Sequence, residues 1–295
     1  MANSIAKFKK YIDKLDTVYS QASATYVLDA DSDTVKMGAR AGEFLIPKMS
    51  MDGLADYSRS TGYVKGNTAI SYETKSCNYE RGRKFDVDAM DNEETAGLAF
   101  GKLAAEFIRT MAVPELDAFR FATYSAVPGI LSKSAALSTG VEVLSALVDA
   151  VNEQDEAQVS NEGKVLFITP TLLTLAKNVD TTKSKAILER FSEIKTVPQP
   201  RFYTAINLND GISSGEEAGG YTIPDGAYKI NFMIVNKDAV IQFGKHTVNK
   251  VISPEENQDS DAYRFFYRAY GITVTYDNKV KGIYLHKDTT ATAKE

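Results

Sequence analysis

The chain has 295 residues, 43% of them apolar and 25% charged, and a formal net charge of −5. These values indicate a globular protein with a large core, in one domain or two lobes. They disfavour a dedicated DNA-binding protein, which needs clustered Lys and Arg. The single cysteine, Cys77, excludes an intrachain disulfide and indicates a reducing compartment. There is no run of 18 apolar residues, so we expect neither a membrane span nor a signal peptide.

Residues 4 to 19 predict a short amphipathic helix, the N-terminal arm. Apolar residues recur there at spacings of three and four, with most lysines off the stripe. A helix this short is marginal alone in water. Its stripe must therefore pack on this subunit or on another chain, and the sequence leaves both open. The stripe consists of Ile5, Phe8, Ile12, Leu15 and Tyr19.

Between Phe44 and Phe85 the helical period gives way to β-forming residues that alternate with polar ones. We predict a long two-stranded ribbon at roughly residues 52 to 85. A solitary ribbon buries too little surface to be stable, so it needs a neighbour. Its end is basic, and Arg81 and Arg83 share one face of a strand. We expect them to meet an acidic surface of another subunit, because Arg pairs specifically with carboxylates.

A long helix is predicted over residues 92–128. Asp91 or Asn92 is a suitable N-cap, and acidic residues follow in the first turn. Pro114 lacks a backbone donor, so it should kink this helix or begin a second one.

Helical and strand patterns alternate after Gly129, which indicates a second lobe. The predicted helices lie near 141–151, 170–175 and 183–192. A glycine-rich exposed loop is predicted at 207–226. The predicted strands are 164–169, 194–197, 201–206, 228–235, 240–243, 246–252, 263–276 and 279–286.

The order of these parts resembles the major capsid proteins of tailed double-stranded DNA bacteriophages, of the Hong Kong phage type. The basic strand at 81–85 leads to a "vD..D..Et" turn at 87–95. The long helix carries the "vPE.D" motif at 113–117. The segment Asn-Lys-Val-Lys-Gly-Ile-Tyr at 278–284 is similar to the closing strand of the family's peripheral domain.

The resemblance implies an α+β fold, the phage major-capsid (Johnson) fold, with five parts. These are an N-terminal arm (1–43), an extended loop with flanking peripheral-domain strands (44–91), the spine helix of the peripheral domain (92–128), an axial domain (129–243), and return strands of the peripheral domain with a C-terminal tail (244–295).

The implied function is structural, without catalysis or cofactor: a subunit of an icosahedral phage head that self-assembles into hexamers and pentamers around double-stranded DNA. The implied partners are other copies, a separate scaffolding protein, the portal protein and the packaged DNA, which is contacted non-specifically. The implied location is the virion, after assembly in the host cytoplasm. An encapsulin-type nanocompartment shell, which holds a protein cargo, is the alternative within this fold.

The candidate subunit-interface residues combine the basic strand, the loop and the arm: Lys65, Arg81, Arg83, Lys84, Phe85, Ile5, Phe8, Ile12 and Leu15. Some members of the family join a loop lysine to an asparagine of a neighbouring subunit by an isopeptide bond. Lys65 and Asn278 have suitable chemistry for it. A surface lysine and a turn asparagine are the simpler interpretation.

An enzyme is the alternative of another class. Gly211-Ile212-Ser213-Ser214-Gly215 matches the nucleophile elbow of serine hydrolases, but two nearby glycines disfavour the helix that this motif requires after it. The histidines, His246 and His286, lack the spacing of a zinc site or the context of a triad. A serine hydrolase using Ser213 is therefore disfavoured.

Overall fold

The computed structural model describes residues 23–30, 36–37, 43–90, 105–179 and 181–292. The predicted arm stripe, with Ile5, Phe8, Ile12 and Leu15, lies outside the described residues, and so does the predicted start of the long helix. The helices are α1 (Val113–Ser125), α2 (Gly140–Glu156), α3 (Pro170–Lys177) and α4 (Thr181–Leu188). The strands are β1 (Lys36–Met37), β2 (Glu43–Met51), β3 (Thr68–Ser76), β4 (Tyr79–Asp88), β5 (Leu131–Ser134), β6 (Lys164–Ile168), β7 (Glu193–Thr196), β8 (Asn207–Leu208), β9 (Tyr221–Thr222), β10 (Tyr228–Asn236), β11 (Val240–Ile252), β12 (Ala262–Thr275) and β13 (Ile283–Ala291).

The strands form four sheets, in the orders β1-β2-β3, β11-β12-β4, β5-β13-β10-β6-β7 and β8-β9. The five-stranded sheet is mixed, because β5 and β7 pair in parallel and the other pairs are antiparallel. The combination of helices with parallel and antiparallel strand pairs confirms the predicted α+β class.

The five-stranded sheet is covered on both faces. Helices α2, α3 and α4 pack on one face, with Leu147 and Phe232 in that core. Helix α1 packs on the other face, where Phe121 meets Phe167 with ring centroids 5.2 Å apart. All five residues of β6 are buried. Burial on both faces explains why this strand reads as a continuous apolar run.

The three-stranded sheet is covered by the segment that leads into α1. Phe85, Phe265 and Tyr267 point to one face and pack near Ile108 and Val113. The opposite face carries charged residues such as Lys84 and Arg268 beside the half-buried side chains of Val248, Ile252 and Phe266. One sheet face therefore belongs to the core and the other stays exposed, as is common in antiparallel sheets.

Pro114 neither breaks nor restarts the helix. A π-helical segment, Ile108–Ala112, runs directly into α1, and the N–H of Val113 donates to the carbonyl of Ile108, five residues back. Proline cannot donate to a carbonyl four residues back and its ring crowds that position. The wider π turn just before Pro114 accommodates it, as such bulges do elsewhere.

The structure corrects several predicted bounds. The paired strands of the ribbon are β2 and β3, and residues 52–67 form its tip, so the predicted ribbon at 52–85 began too late along the chain. The predicted strand at 201–206 is mostly irregular, and the loop at 207–226 contains the short pair β8-β9. The predicted helix at 183–192 is α4, which ends at Leu188.

The predicted closing strand at 279–286 was wrong in both its start and its partner. A 3₁₀ turn occupies Val280–Gly282, and β13 begins at Ile283. This strand pairs with β10 and β5 in the five-stranded sheet instead of closing the three-stranded one. The predicted boundary between 243 and 244 also falls inside the single strand β11, beside a register shift between Gly244 and His246.

Candidate functional site: a subunit interface

The ribbon β2-β3 has one apolar face and one polar face. Met49 pairs with Ile70 and Met51 with Thr68 in an antiparallel register. Side chains alternate between faces along a strand. Met49, Met51, Ile70 and Tyr72 therefore share one face, and each is between 56% and 69% exposed. Contiguous exposed apolar surface of this kind marks a contact site.

The tip of the ribbon, residues 52–67, is closed but also exposed. Asp52 bonds to the backbone of Asn67 through its own N–H and its carboxylate. A tight turn joins Ser58 to Gly62, whose φ of 78° favours glycine. The tip adds four exposed apolar side chains, Leu54, Tyr57, Tyr63 and Val64.

Among the described residues, the contacts that hold the ribbon to its own chain are at its body end. Phe44 and Ile46 are buried, and the Phe44 ring meets the edge of Phe243 at 6.0 Å. Lys75 lies 2.6 Å from Glu73 and 3.7 Å from Asp277. The hydrogen bond to Glu73, with a further contribution from Asp277, raises the pKa of Lys75. The ribbon is thus anchored at one end and projects from it.

The predicted shared face of Arg81 and Arg83 is present, but its partners lie in the same chain. Arg81 donates to both carboxylate oxygens of Glu115, at 2.7 and 3.3 Å, and to the carbonyl of Gly220. This pairing with Glu115 raises the pKa of Arg81. Arg83 donates to the carbonyl of Glu217. Arg81 therefore has an acidic partner within its own chain, and the expectation that the two arginines meet an acidic surface of another subunit stays a prediction.

Glycines allow the loop before β9 to approach Arg83. A Cβ atom at Gly211 would lie 2.8 Å from a terminal nitrogen of Arg83, and Gly211 has a φ of 76°. A larger residue would be strained there and would crowd the guanidinium. The glycine content that predicted an exposed loop also serves this contact with β4.

The other basic-strand candidates divide between surface and core. Lys84 is exposed on the opposite sheet face, 3.7 Å from Asp86. Phe85 packs within its own chain, with its ring 4.7 Å from that of Phe107. Lys65 is exposed in the tip, and Asn278 is exposed next to the ribbon's body end. A crosslink between Lys65 of one copy and Asn278 of another stays a prediction.

Asp117 binds residues 23–25, the first residues that the structure describes. It is fully buried and accepts hydrogen bonds from Ser23, Ala24, Thr25 and Arg201, at 2.7 to 3.3 Å. The two acids of the 113–117 motif therefore have separate partners. Glu115 holds β4, and Asp117 holds residues 23–25.

Two further residues complete this anchor around residues 23–30. Arg120 donates to Thr25 and Asp29, and Gln242 of β11 donates to the same two residues. Sequence reasoning missed the contacts of Asp117, Arg201 and Gln242. The only signal was the placement of two acids within an otherwise apolar helical segment.

The residues considered for catalysis do not meet. Ser213 lies in a turn and donates to Asp210, and further turns follow it instead of a helix. These hydrogen bonds lower the pKa of Asp210 to about 2. His246 is exposed on β11, and His286 is buried in β13. In the described part of the chain, no three His, Cys, Asp or Glu side chains are grouped as metal ligands would be.

A search of the described helices finds none that is both long and apolar enough to cross a membrane.

The architecture is the fold of phage capsid proteins. The mature capsid of bacteriophage PhiM1 matches 85% of this chain and 83% of its own, with a TM-score of 0.58 and 10% identity. The capsid of cyanophage P-SCSP1u matches 89% of this chain and 87% of its own chain, with a TM-score of 0.53 and 13% identity. A virus-like particle from Pyrococcus furiosus matches 94% of this chain and 99% of its own chain, with a TM-score of 0.55 and 11% identity.

No protein-family model and no curated protein matches the sequence. The similarity is thus one of fold. The predicted capsid fold is confirmed, and the Hong Kong type stays a prediction.

Proposed function

We propose that this chain is a structural subunit of a tailed-phage head. Many copies assemble into a closed icosahedral shell of hexamers and pentamers around double-stranded DNA. One observation carries the proposal: a chain with the capsid fold projects a ribbon whose apolar face has no cover among the described residues. The location in the virion, and the scaffolding and portal proteins as partners, follow from this function.

In this proposal the chain divides into two domains, and each domain contains one of the larger sheets. We assign the three-stranded sheet and the long helix to the peripheral domain, and the five-stranded sheet to the axial domain. With β13 in the five-stranded sheet, the axial domain takes in residues 283–291 as well as most of 129–243.

The ribbon supplies association free energy in the proposed shell. Burying an exposed Met, Ile or Tyr side chain contributes about 1.5–3 kcal/mol. Four such side chains on one face therefore stabilise a contact with a second copy appreciably, after the entropy of association is offset. Repetition of the contact around a closed shell strengthens it further through multivalency.

The test is a pair of ribbon variants that differ only in the face they change. Met49→Asp with Tyr72→Asp places charges on the apolar face, and Ser50→Asp with Ser71→Asp places them on the polar face. We expect both proteins to fold and only the first to lose closed particles in electron micrographs. Equal assembly of both variants would remove the ribbon from the mechanism. A wild-type protein that stays monomeric under all conditions would contradict the proposed function.

The nanocompartment shell remains the second candidate, because the virus-like particle from Pyrococcus furiosus matches nearly the whole chain. The contents of particles from the native source separate the two. Nuclease-protected DNA supports the phage head, and an encapsulated protein without DNA supports the nanocompartment.

A catalytic role has a separate test. The capsid-like fold supports a structural role, so we expect Ser213→Ala to leave assembly unchanged. Hydrolytic activity that disappears in this variant would favour the enzyme.

A further inference from the structure

The two edges of the five-stranded sheet carry opposite charge. Strand β5 forms one edge and β7 the other. With four strand spacings between them, the edges lie roughly 19 Å apart. Each edge is flanked by a helix that follows or precedes it in the chain, α2 after β5 and α4 before β7.

The β5 edge is acidic. Helix α2 contains five carboxylates and no basic residue. Asp149 reaches Lys133 of β5 at 2.8 Å, so this side of α2 lies towards the β5 edge, while Asp155 on another side of the helix pairs with Arg190 near β7. Glu142, Asp149 and Glu153 follow at spacings of seven and four, so they share a helix face. Glu153 and Glu156 are exposed, and Val141 and Val148 add exposed apolar surface to the same helix.

The β7 edge is basic. Residues 177–195, which span the end of α3, helix α4 and β7, contain five basic and three acidic residues. Lys177 is exposed at the end of α3, and Lys185 is 74% exposed on α4. Part of the positive charge is used internally, since Arg190 pairs with Asp155 of α2. Lys185 also lies 3.6 Å from Glu189 on the same surface, so the positive charge of this edge is its excess of basic over acidic residues.

We infer that these two edges are the complementary halves of a head-to-tail contact between copies, in which the acidic α2 edge of one copy meets the basic α3–α4 edge of the next. A self-matched contact would place carboxylates against carboxylates, and such like-charge juxtaposition is costly. A contact between two different surfaces repeats around a ring when its rotation closes. This inference rests on the proposed function, because a shell is built from such rings.

The test reverses charge on each edge and then on both. Glu153→Lys with Glu156→Lys makes the acidic edge basic, and Lys177→Glu with Lys185→Glu makes the basic edge acidic. We expect each double variant to assemble at least about tenfold more slowly than the wild type, as electrostatic association rates permit. The protein with all four changes has complementary edges again and should recover most of the lost rate.

A matched control separates edge charge from net charge. Glu255→Lys with Glu256→Lys, in the exposed turn between β11 and β12, changes the net charge by the same amount and sign as the acidic-edge variant, and it should assemble like the wild type. Urea unfolding of every variant establishes that each one folds.

Two outcomes would overturn the inference while leaving the proposed function intact. In the first, both edge variants assemble normally. In the second, the protein with four changes assembles no better than either double variant, so the losses do not arise from complementarity. Failure of the wild type to assemble would instead remove the proposed function, and this inference with it.

Discussion

The five-stranded sheet and the ribbon are both built from β-strands, yet they differ in what covers them. Strand β6 is buried along its whole length, between helices on one face and α1 on the other. The ribbon leaves the apolar side chains of Met49, Met51, Ile70 and Tyr72 more than half exposed. The sheet is therefore stabilised by its own chain, whereas the ribbon's apolar face has no cover among the described residues.

The comparison separates residues that hold the fold of the chain together from residues that, in the proposed shell, join subunits. Substitutions in the first set should lower the free energy of unfolding, and those in the second should change assembly alone. The following experiments test this division.

The largest loss of stability is expected at the Asp117 anchor. Asp117→Ala removes a buried carboxylate and leaves Arg201 and two backbone N–H groups without it. Breaking a buried charged network costs about 3–5 kcal/mol. We expect a loss of that size in the free energy of unfolding from urea titration. Asp225→Ala, at an exposed position, should leave it unchanged. A loss below about 1 kcal/mol at Asp117 would show that the anchor contributes little.

The same substitution in the two regions gives the most direct comparison. Leu147 is fully buried on α2, and Leu54 is fully exposed at the ribbon tip. Leu147→Ala should lower the free energy of unfolding by about 3 kcal/mol, through lost burial and a cavity. Leu54→Ala should change it by less than about 0.5 kcal/mol. Equal effects in thermal or urea unfolding would contradict the division between the regions.

Acid should weaken the five-stranded sheet through His286. Burial, with a contribution from Lys133, lowers the pKa of His286 to about 4, and Asp288 opposes this shift. The amide nitrogen of Asn231 lies 3.1 Å from Nδ1, so Nδ1 serves as an acceptor and protonation would oppose that contact. The unfolded chain binds the proton at higher pH, near 6.5. Stability is therefore full above pH 6.5 and falls as the pH drops towards 4.

The expected loss is about 2–3 kcal/mol between these pH values. Unfolding free energies of the wild type and of His286→Gln, measured from pH 7 to 4, isolate this contribution as a difference in slope. His246→Gln changes the exposed histidine of β11 and should keep the wild-type slope. If the slope is unchanged in His286→Gln, the titration of another group causes the acid dependence.

The smallest effect is expected at the start of α2. Thr139 accepts a hydrogen bond from the N–H of Glu142, and Glu142 accepts in return from the N–H of Thr139. Thr139→Ala removes one half of this capping box and should cost about 1 kcal/mol. Ser145→Ala, on the exposed side of the same helix, is the control for helix propensity and should not destabilise. A stability equal to the wild type in Thr139→Ala would mean that water satisfies the helix end as well.

Elements with strong local signals were predicted well. Helix α2 follows from its apolar period, α3 from Pro170 at its first position, and β6 from its continuous apolar run. Each signal lies within a few residues of the structure it determines. The sequence predicted a two-stranded ribbon but with the wrong bounds, because the exposed tip carries the same β-forming residues as the strands.

Long-range contacts account for most of what was missed. Arg81 and Glu115 are 34 residues apart, and Ser23 and Asp117 are 94 apart. The alternation in β4 does place Arg81 and Arg83 on one face, but it does not identify which carboxylate meets them. For the same reason, the sequence of residues 283–291 predicts a strand but does not predict that this strand belongs to the five-stranded sheet.

The sequence alone therefore determined the α+β class, the kinds of most elements and the presence of a ribbon, because periodicity, capping and turn chemistry act over short distances. Only the tertiary structure decided which acid binds which arginine, which sheet receives β13, and which face of the ribbon is left without a cover by the described residues. Those outcomes depend on how distant segments pack, and many pairings of similar residues are equally compatible with one linear pattern.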